Sequence, residues 1–220
     1  MQLVEKIRDL GIELDQQLTF RDHIISCCKR ANKTLGFIMR TASRFRDTRI
    51  ALLLFNAFVR SRLEFDSVVW DPREQKYILL VERVQRKFAR YLYKRMYGYY
   101  HYLFPSIFVV GMVGLDTLLL RRKVALAIHF LFILRSNINN PMVLDRVGIF
   151  VPPRVSHNRR KNVPPHPLLS CLSNPRSEHA KNAPVARAIK LLNRLTKEIH
   201  EADLFYDSLP NLISSIRKIL

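Results

Sequence analysis

Apolar residues recur along this chain mainly at three- and four-residue steps, the period of helices that bury one face. The clearest run is Phe20, Ile24, Cys27, Ala31, Leu35, Ile38 and Ala42, with Lys29, Arg30, Lys33 and Arg40 on the opposite side. Thr19, followed three residues later by Asp22, predicts a capping box at its start. Asp47 or Thr48 is the expected cap of a second helix, with Ile50, Leu54, Ala57, Phe58, Ser61 and Phe65 inward. Its run Leu52-Leu53-Leu54-Phe55 is apolar on more than one side, which predicts a central position. Asp71-Pro72-Arg73-Glu74 reads as the start of a third helix, with an Asp cap, Pro at the first helical position and Glu at the third. This helix is expected to reach about Met96, with Ile78, Val81, Val84, Phe88 and Leu92 inward.

A fourth helix is expected after Gly114, capped by Asp116 and stopped by Asn137 to Pro141. It would bury Leu115, Leu119, Leu126, Phe130 and Ile133, together with His129 as a satisfied core histidine. A fifth follows Pro184 with Val185, Ile189, Leu192, Leu195 and Ile199 on one face, and a short last helix is expected over Leu209 to Ile219. Three stretches break the pattern. Leu10 to Leu14 alternates after Gly11, which predicts one short strand, too short to make a sheet alone, closed by Asp15-Gln16-Gln17. Tyr97 to Leu115 carries no Asp, Glu, Lys or Arg, but Gly98, Pro105, Gly111 and Gly114 interrupt it. It reads as a buried loop with a strand or short helix rather than a membrane span. From Phe150 to Pro184 the prolines (Pro152, Pro153, Pro164, Pro165 and others) erase the periodicity, which predicts an extended connector. The pattern as a whole predicts a mainly α fold: a helical bundle with a short N-terminal strand and a proline-rich basic connector. The expected boundaries are 1–18 for the strand and turn, 19–148 for the main helical domain, 149–184 for the linker and 185–220 for the C-terminal helices.

Composition adds a partner class. The 220 residues hold 37 Lys and Arg against 18 Asp and Glu, a net charge of +19. A chain this basic seeks polyanions, with nucleic acid ahead of an acidic membrane or protein surface. Its 48% hydrophobic content excludes disorder throughout. Three cysteines, two of them the adjacent Cys27 and Cys28, do not make a disulfide scaffold, and no signal-peptide segment opens the chain. These features predict an intracellular protein, nuclear or cytoplasmic and not secreted.

The charge has a location. Arg83, Lys87, Arg90 and Lys94 lie at i, i+4, i+7 and i+11, so they line one stripe of the third helix, flanked by Arg86 and Arg95. Tyr91, Tyr93, Tyr97, Tyr99, Tyr100 and Tyr102 interleave with or follow them, and no acid occurs between Arg83 and Leu115. Fixed cations suit phosphates and aromatic faces suit bases, so this mixture fits a nucleic-acid groove. The bland alternative is a solvated basic face beside packed tyrosines. A second acid-free stretch, with Arg154, Arg159, Arg160, Lys161 and Arg176, is read as a flexible phosphate-binding arm or a solvated linker. Motifs for catalysis are missing: there is no Gly-rich phosphate loop, Gly-x-Ser-x-Gly or His-Glu-x-x-His. His157, His166, Cys171 and His179 fit no zinc spacing. Asp66, Asp71 and Glu74 are read as capping residues rather than a carboxylate site. No cofactor is expected in this chain.

A family resemblance joins these features. Leu10-Gly11-Ile12-Glu13-Leu14-Asp15, Leu18-Thr19-Phe20 and His23-Ile24 resemble the segment after the catalytic palm in reverse transcriptases of non-LTR retrotransposons, jockey-like ones especially. The resemblance continues in order through Ala31-Asn32-Lys33-Thr34-Leu35-Gly36-Phe37-Ile38 and Leu54-Phe55-Asn56-Ala57-Phe58-Val59-Arg60-Ser61-Arg62-Leu63-Glu64-Phe65. It extends through Val68-Val69-Trp70-Asp71-Pro72, Val81-Glu82-Arg83-Val84-Gln85-Arg86-Lys87-Phe88 and Arg90-Tyr91-Leu92, and thins after about residue 155. It implies the end of a palm, with Leu10 to Leu14 near the primer-grip hairpin, followed by a helical thumb. That thumb would hold an RNA/DNA or RNA duplex by its backbone and dock on a palm domain. The family's Tyr/Phe-x-Asp-Asp motif and its magnesium lie upstream in the palm. The resemblance therefore implies a C-terminal fragment of an RNA-directed DNA polymerase, inactive alone. Arg83, Arg86, Lys87, Arg90 and Lys94 on the third helix and Lys29, Lys33 and Arg40 on the first are the expected nucleic-acid contacts. The competing expectations are a basic helical protein of the membrane surface, resting on the apolar Leu103 to Leu115, and an element relic without function.

Overall fold

The computed structural model describes residues 6–150, 168–171, 182–199 and 204–219. The described chain is mainly helical, with two short two-stranded antiparallel sheets. It divides into two units, Met1–Arg122 and Lys123–Leu220.

The first unit opens with a hairpin. Strands β1 (Lys6–Asp9) and β2 (Ile12–Asp15) pair in the register Asp9 to Ile12 through Lys6 to Asp15. Leu10 and Gly11 connect them at φ 44° and 92°. Positive φ at both residues is what a two-residue hairpin turn matching the strand twist requires. The strand expected at Leu10 to Leu14 is therefore not alone. Its partner is illegible because all of Lys6–Asp9 is exposed and its one apolar residue, Ile7, makes no alternation.

Helix α1 (Arg21–Ala42) buries Ile24, Cys27, Ala31, Leu35, Ile38 and Ala42 as its periodicity predicts, together with His23 and Cys28. The capping box at its start does not form. Asp15 accepts hydrogen bonds from the Thr19 hydroxyl (2.6 Å) and from the amides of Thr19 and Phe20 (2.8 and 3.0 Å), while Asp22 pairs with Lys6 at 2.7 Å. Asp47 caps α2 (Thr48–Phe55) by accepting from the Arg49 amide. A π-turn (Asn56–Arg60) and a short α3 (Ser61–Glu64) extend it. The buried residues here are Ala51, Phe55, Val59 and Leu63, not Ile50, Leu54, Ala57, Phe58, Ser61 and Phe65. A π-turn holds one extra residue per turn, so four-residue steps stay on one face where 3.6-residue turns would rotate away. The helix is not central either, since Leu53, Phe58 and Phe65 are exposed.

After α4 (Ser67–Trp70), helix α5 (Gln75–Tyr97) begins later than its sequence suggests. Asp71 pairs with Arg122 at 2.7 Å, and Glu74 pairs with Arg21 and Lys76. None of Asp66, Asp71 and Glu74 caps α5 through its side chain, because each carboxylate is bound by a more distant cation or fails to reach. Gly98 closes α5 at φ 79°. Helix α1 meets α5 through Arg21 to Glu74, Tyr91 to Met39 and Arg95 to Ala42, sequence separations of 53, 52 and 53. A constant separation along two helices means that they run parallel and in step. Helix α2 and its π extension run back against both, with Phe55 stacked on Phe88 at 4.0 Å and 2° between planes. Cys27 donates to the Arg62 carbonyl. The core is thus a three-helix bundle in which α1 and α5 touch directly and α2 packs into the groove on one side of the pair, with α6 (Ser106–Met112) laid against α5 by Val109 and Val110. Tyr97 to Leu115 does hold a short helix, but Tyr99, Tyr102, Leu103 and Ile107 on it are exposed rather than buried.

Helix α7 (Leu118–Leu134) starts with Thr117 accepting from the Leu120 amide, and buried Glu82 of α5 accepts from the Leu119 amide at 2.7 Å. Thr117 therefore takes the place expected for Asp116. Phe130 and Ile133 are buried as expected, whereas His129 is exposed and is no core histidine.

In the second unit, α8 (Pro141–Leu144) leads to β3 (Val147–Phe150), which pairs with β4 (Leu168–Cys171). Regular structure thus enters the stretch expected to be a plain connector. Asn193 of α9 (Pro184–Glu198) clamps β4: its amide accepts from Leu169 N–H and donates to Leu169 C=O. Arg135 donates to the carbonyls of Leu204 and Asp207, ahead of α10 (Leu209–Ile219). The predicted apolar face of α9 is buried at Ile189, Leu192 and Leu195 and half-buried at Val185 and Ile199, and the expected last helix forms with Leu212 and Ile216 buried. Arg154, Arg159, Arg160, Lys161, Arg176, His157, His166 and His179 lie outside the described residues.

Candidate nucleic-acid interface

The direction of the α1–α5 pair decides where the basic residues fall. On α1, Cys27 and Thr34 contact Arg62 on α3, whereas Met39 and Ala42 contact α5. At about 100° per residue, Lys29, Gly36 and Arg40 turn to the outer flank next to α5. Lys33 stands beside them, while Arg30 and Phe37 turn toward α3. On α5, Tyr91 and Arg95 contact α1 and Phe88 faces Phe55. Lys87, Lys94, Arg83 and Arg90 then lie on the outer flank next to α1. Two rows of cations therefore border one seam, Lys29, Lys33 and Arg40 on one side and Arg83, Lys87, Arg90 and Lys94 on the other. With the helices parallel and separated by 52 or 53 in numbering, the rows cover the same stretch of axis, each about 16 Å long at 1.5 Å per residue.

All seven side chains are exposed. None forms an ion pair or hydrogen bond among the described residues, so their charge is open to an incoming anion. Gly36 lies between Lys33 and Arg40 on the same side of α1, where an added Cβ would meet Arg40 Nη1 at 3.7 Å, an ordinary contact. Arg86 is half-buried at the far edge of the α5 row. Arg95 is committed elsewhere: its guanidinium donates to the carbonyls of Ala42 and Phe45 at the end of α1.

The tyrosines divide. Tyr91 is half-buried and donates to the Met39 carbonyl at 3.1 Å, and Tyr93 is buried in an aromatic cluster with Tyr97, Tyr100 and Phe104. These pack rather than face the seam. Tyr97, Tyr99 and Tyr102 remain exposed beyond Lys94.

Nucleophilic or metal chemistry has little support nearby. Burial raises the Cys27 thiol and pushes the Cys28 thiol up to about 12, so both stay protonated and inert. Among the described residues no three His, Cys, Asp or Glu side chains converge as a metal site, and no helix is long and apolar enough to cross a membrane. The chain matches no protein-family model, no curated protein and no solved structure.

Proposed function

We propose that residues 6–122 form a nucleic-acid-holding module that grips a duplex by its sugar–phosphate backbone. This is the role of a thumb in the reverse transcriptase of a non-LTR retrotransposon. One observation carries the reading: two unpaired cation rows, in step, border the α1–α5 seam. Lysines and arginines at fixed spacing on rigid helices neutralise successive phosphates without reading bases, so recognition is led by shape and charge. The favoured partner is an RNA/DNA hybrid or RNA duplex. A palm domain would supply the aspartates and magnesium of polymerisation; the residues described contribute binding and positioning, not chemistry.

The test is hybrid binding by the whole chain and by a variant with Arg83, Lys87, Arg90 and Lys94 all replaced by Gln. The reading expects the variant to bind at least tenfold more weakly at moderate salt. Equal binding would reject the seam as the interface.

A second reading follows from the exposed Leu103, Ile107, Phe108 and Met112 on and before α6, an apolar face beside a basic helix that suits an anionic membrane surface. Flotation with anionic vesicles, in the absence of duplex binding, would favour it.

A further inference from the structure

A second cluster of cations lies on the other flank of α1. Arg8 of β1, Gly11 of the hairpin turn, His23, Cys27 and Arg30 of α1, Arg62 of α3 and Phe65 line one cleft of about 360 Å³. Three guanidinium side chains from three separate elements thus meet at one concavity, and no carboxylate lines it. Arg8 and Arg30 make no ion pair or hydrogen bond through their side chains among the described residues. Arg62 uses Nη1 on the Thr34 hydroxyl at 3.1 Å, which fixes the side chain without neutralising it. Glu13, the cross-strand neighbour of Arg8, is close enough to act electrostatically on His23 but does not line the cleft.

His23 supplies a different kind of donor. Its Nδ1 accepts the Glu13 amide at 3.3 Å, which leaves the proton of the neutral ring on Nε2. The ring is only 4% exposed and tilted against Trp70 at 5.4 Å, so it is held in place. Burial, with Arg30 and Arg8 acting in the same direction against Glu13, lowers its pKa and keeps it neutral. Convergent like charges cost stability unless something of opposite charge sits among them. A tetrahedral dianion accepts bidentate hydrogen bonds from guanidinium groups and a further one from an imidazole N–H. Phe65, 55% exposed on the rim, offers an apolar face to whatever the anion is attached to.

We propose that this cleft binds a phosphate monoester, with Arg8, Arg30 and Arg62 as its cations and His23 as a neutral donor. The site is distinct from the α1–α5 seam: Arg30 turns about 100° away from Lys29, and none of the seven seam cations lines the cleft.

The experiment is thermal unfolding of the full chain with inorganic phosphate, with AMP and with chloride at matched ionic strength. It is repeated on Arg8→Gln/Arg30→Gln/Arg62→Gln and on Arg30→Gln alone. Phosphate and AMP should raise the wild-type midpoint where chloride does not, and the triple variant should lose that rise. Arg30→Gln should weaken it about tenfold. Without ligand the triple variant should unfold no earlier than wild type, since it sheds like-charge repulsion. An oligonucleotide with a 5′ phosphate should outcompete its 5′-hydroxyl twin if the ester is a strand end, and AMP should outcompete both if it is a free nucleotide. This comparison is run in the background of the four seam substitutions, so loss of seam binding does not mask it. A wild-type midpoint that responds equally to phosphate and chloride, or a triple variant that keeps the full response, would overturn the proposal.

Discussion

The Tyr91 hydroxyl donates to the Met39 carbonyl at 3.1 Å, and one turn later Arg95 reaches the carbonyls of Ala42 and Phe45. These bonds join two parallel helices near their C-terminal ends and hold their cation rows opposite each other. Tyr91→Phe should lower stability by about 1 kcal/mol, the net worth of one hydrogen bond. Arg95→Gln should lower it by about 1.5–3 kcal/mol, because a charged donor and the terminal carbonyls of α1 both lose their partner. Denaturant unfolding measures both. The two variants should also weaken hybrid binding although neither residue is in the rows. Unchanged binding in a destabilised Arg95→Gln protein would show that helix register does not set the interface.

The π-turn at Asn56–Arg60 suggests a deletion that the fold should tolerate. Removing Ala57, which is exposed, changes the buried spacing of Ala51, Phe55, Val59 and Leu63 from 4, 4, 4 to 4, 3, 4. That is the spacing of an ordinary α-helix, so the inner face survives. Stability should change by no more than about 1 kcal/mol. Deleting Arg86 from α5 should instead rotate every later residue by about 100° and unfold the bundle. Circular dichroism melts of the two deletions decide the matter; equal damage from both would refute this account of the π-turn.

Stability should fall with acid in two stages. The folded-state pKa of His23 is lowered, first by burial, so its stabilising contribution is complete above the unfolded value near pH 6.5 and is lost as pH falls through the lower folded value. Asp15 is also held below its ordinary value: burial opposes this, but the hydrogen bonds from Thr19 and Phe20 outweigh it. Its contribution is complete above about pH 4 and disappears below that. Urea midpoints should therefore be highest between about pH 7 and 8, fall below about 6.5, and fall again below about 4, with a separate decline above about pH 8 as the unfolded-state thiols of Cys27 and Cys28 ionise and the buried ones do not. His23→Gln should remove the upper step and keep the lower one; an upper step that persists in the variant would assign it to another group.

The sequence pattern makes some of this fold legible and hides other parts for physical reasons. Helices α1, α9 and α10 and the inner face of α5 could be read because a solvated polar face contrasts with a buried apolar one over several turns. The face of α2 could not, since the π-turn breaks the 3.6-residue rule that the reading assumes. Strand β1 is wholly exposed and has no apolar alternation, and β4 is four residues long among prolines. Asp71 has the sequence signature of a cap, but its partner, Arg122, lies 51 residues away, beyond the reach of local pattern. The row Arg83, Lys87, Arg90 and Lys94 was visible as spacing, and so were Lys29, Lys33 and Arg40. Their meeting at one seam was not, because periodicity gives each helix a face but not the direction in which two helices pair. The cleft at Arg8, Arg30 and Arg62 was hidden for the same reason, being assembled from a strand and two helices.

The central claim is that the seam holds a nucleic-acid backbone, and the most direct measurement is the salt dependence of hybrid binding. Each phosphate neutralised on a B-form duplex contributes about 0.9 to the slope of log Kobs against log salt. Wild type should show a steep negative slope, about −4 or beyond. The variant with Gln at positions 83, 87, 90 and 94 should be shallower by about 3, with the same loss on hybrids of unrelated sequence. A flat slope for wild type, or one that the four substitutions leave unchanged, would contradict the account.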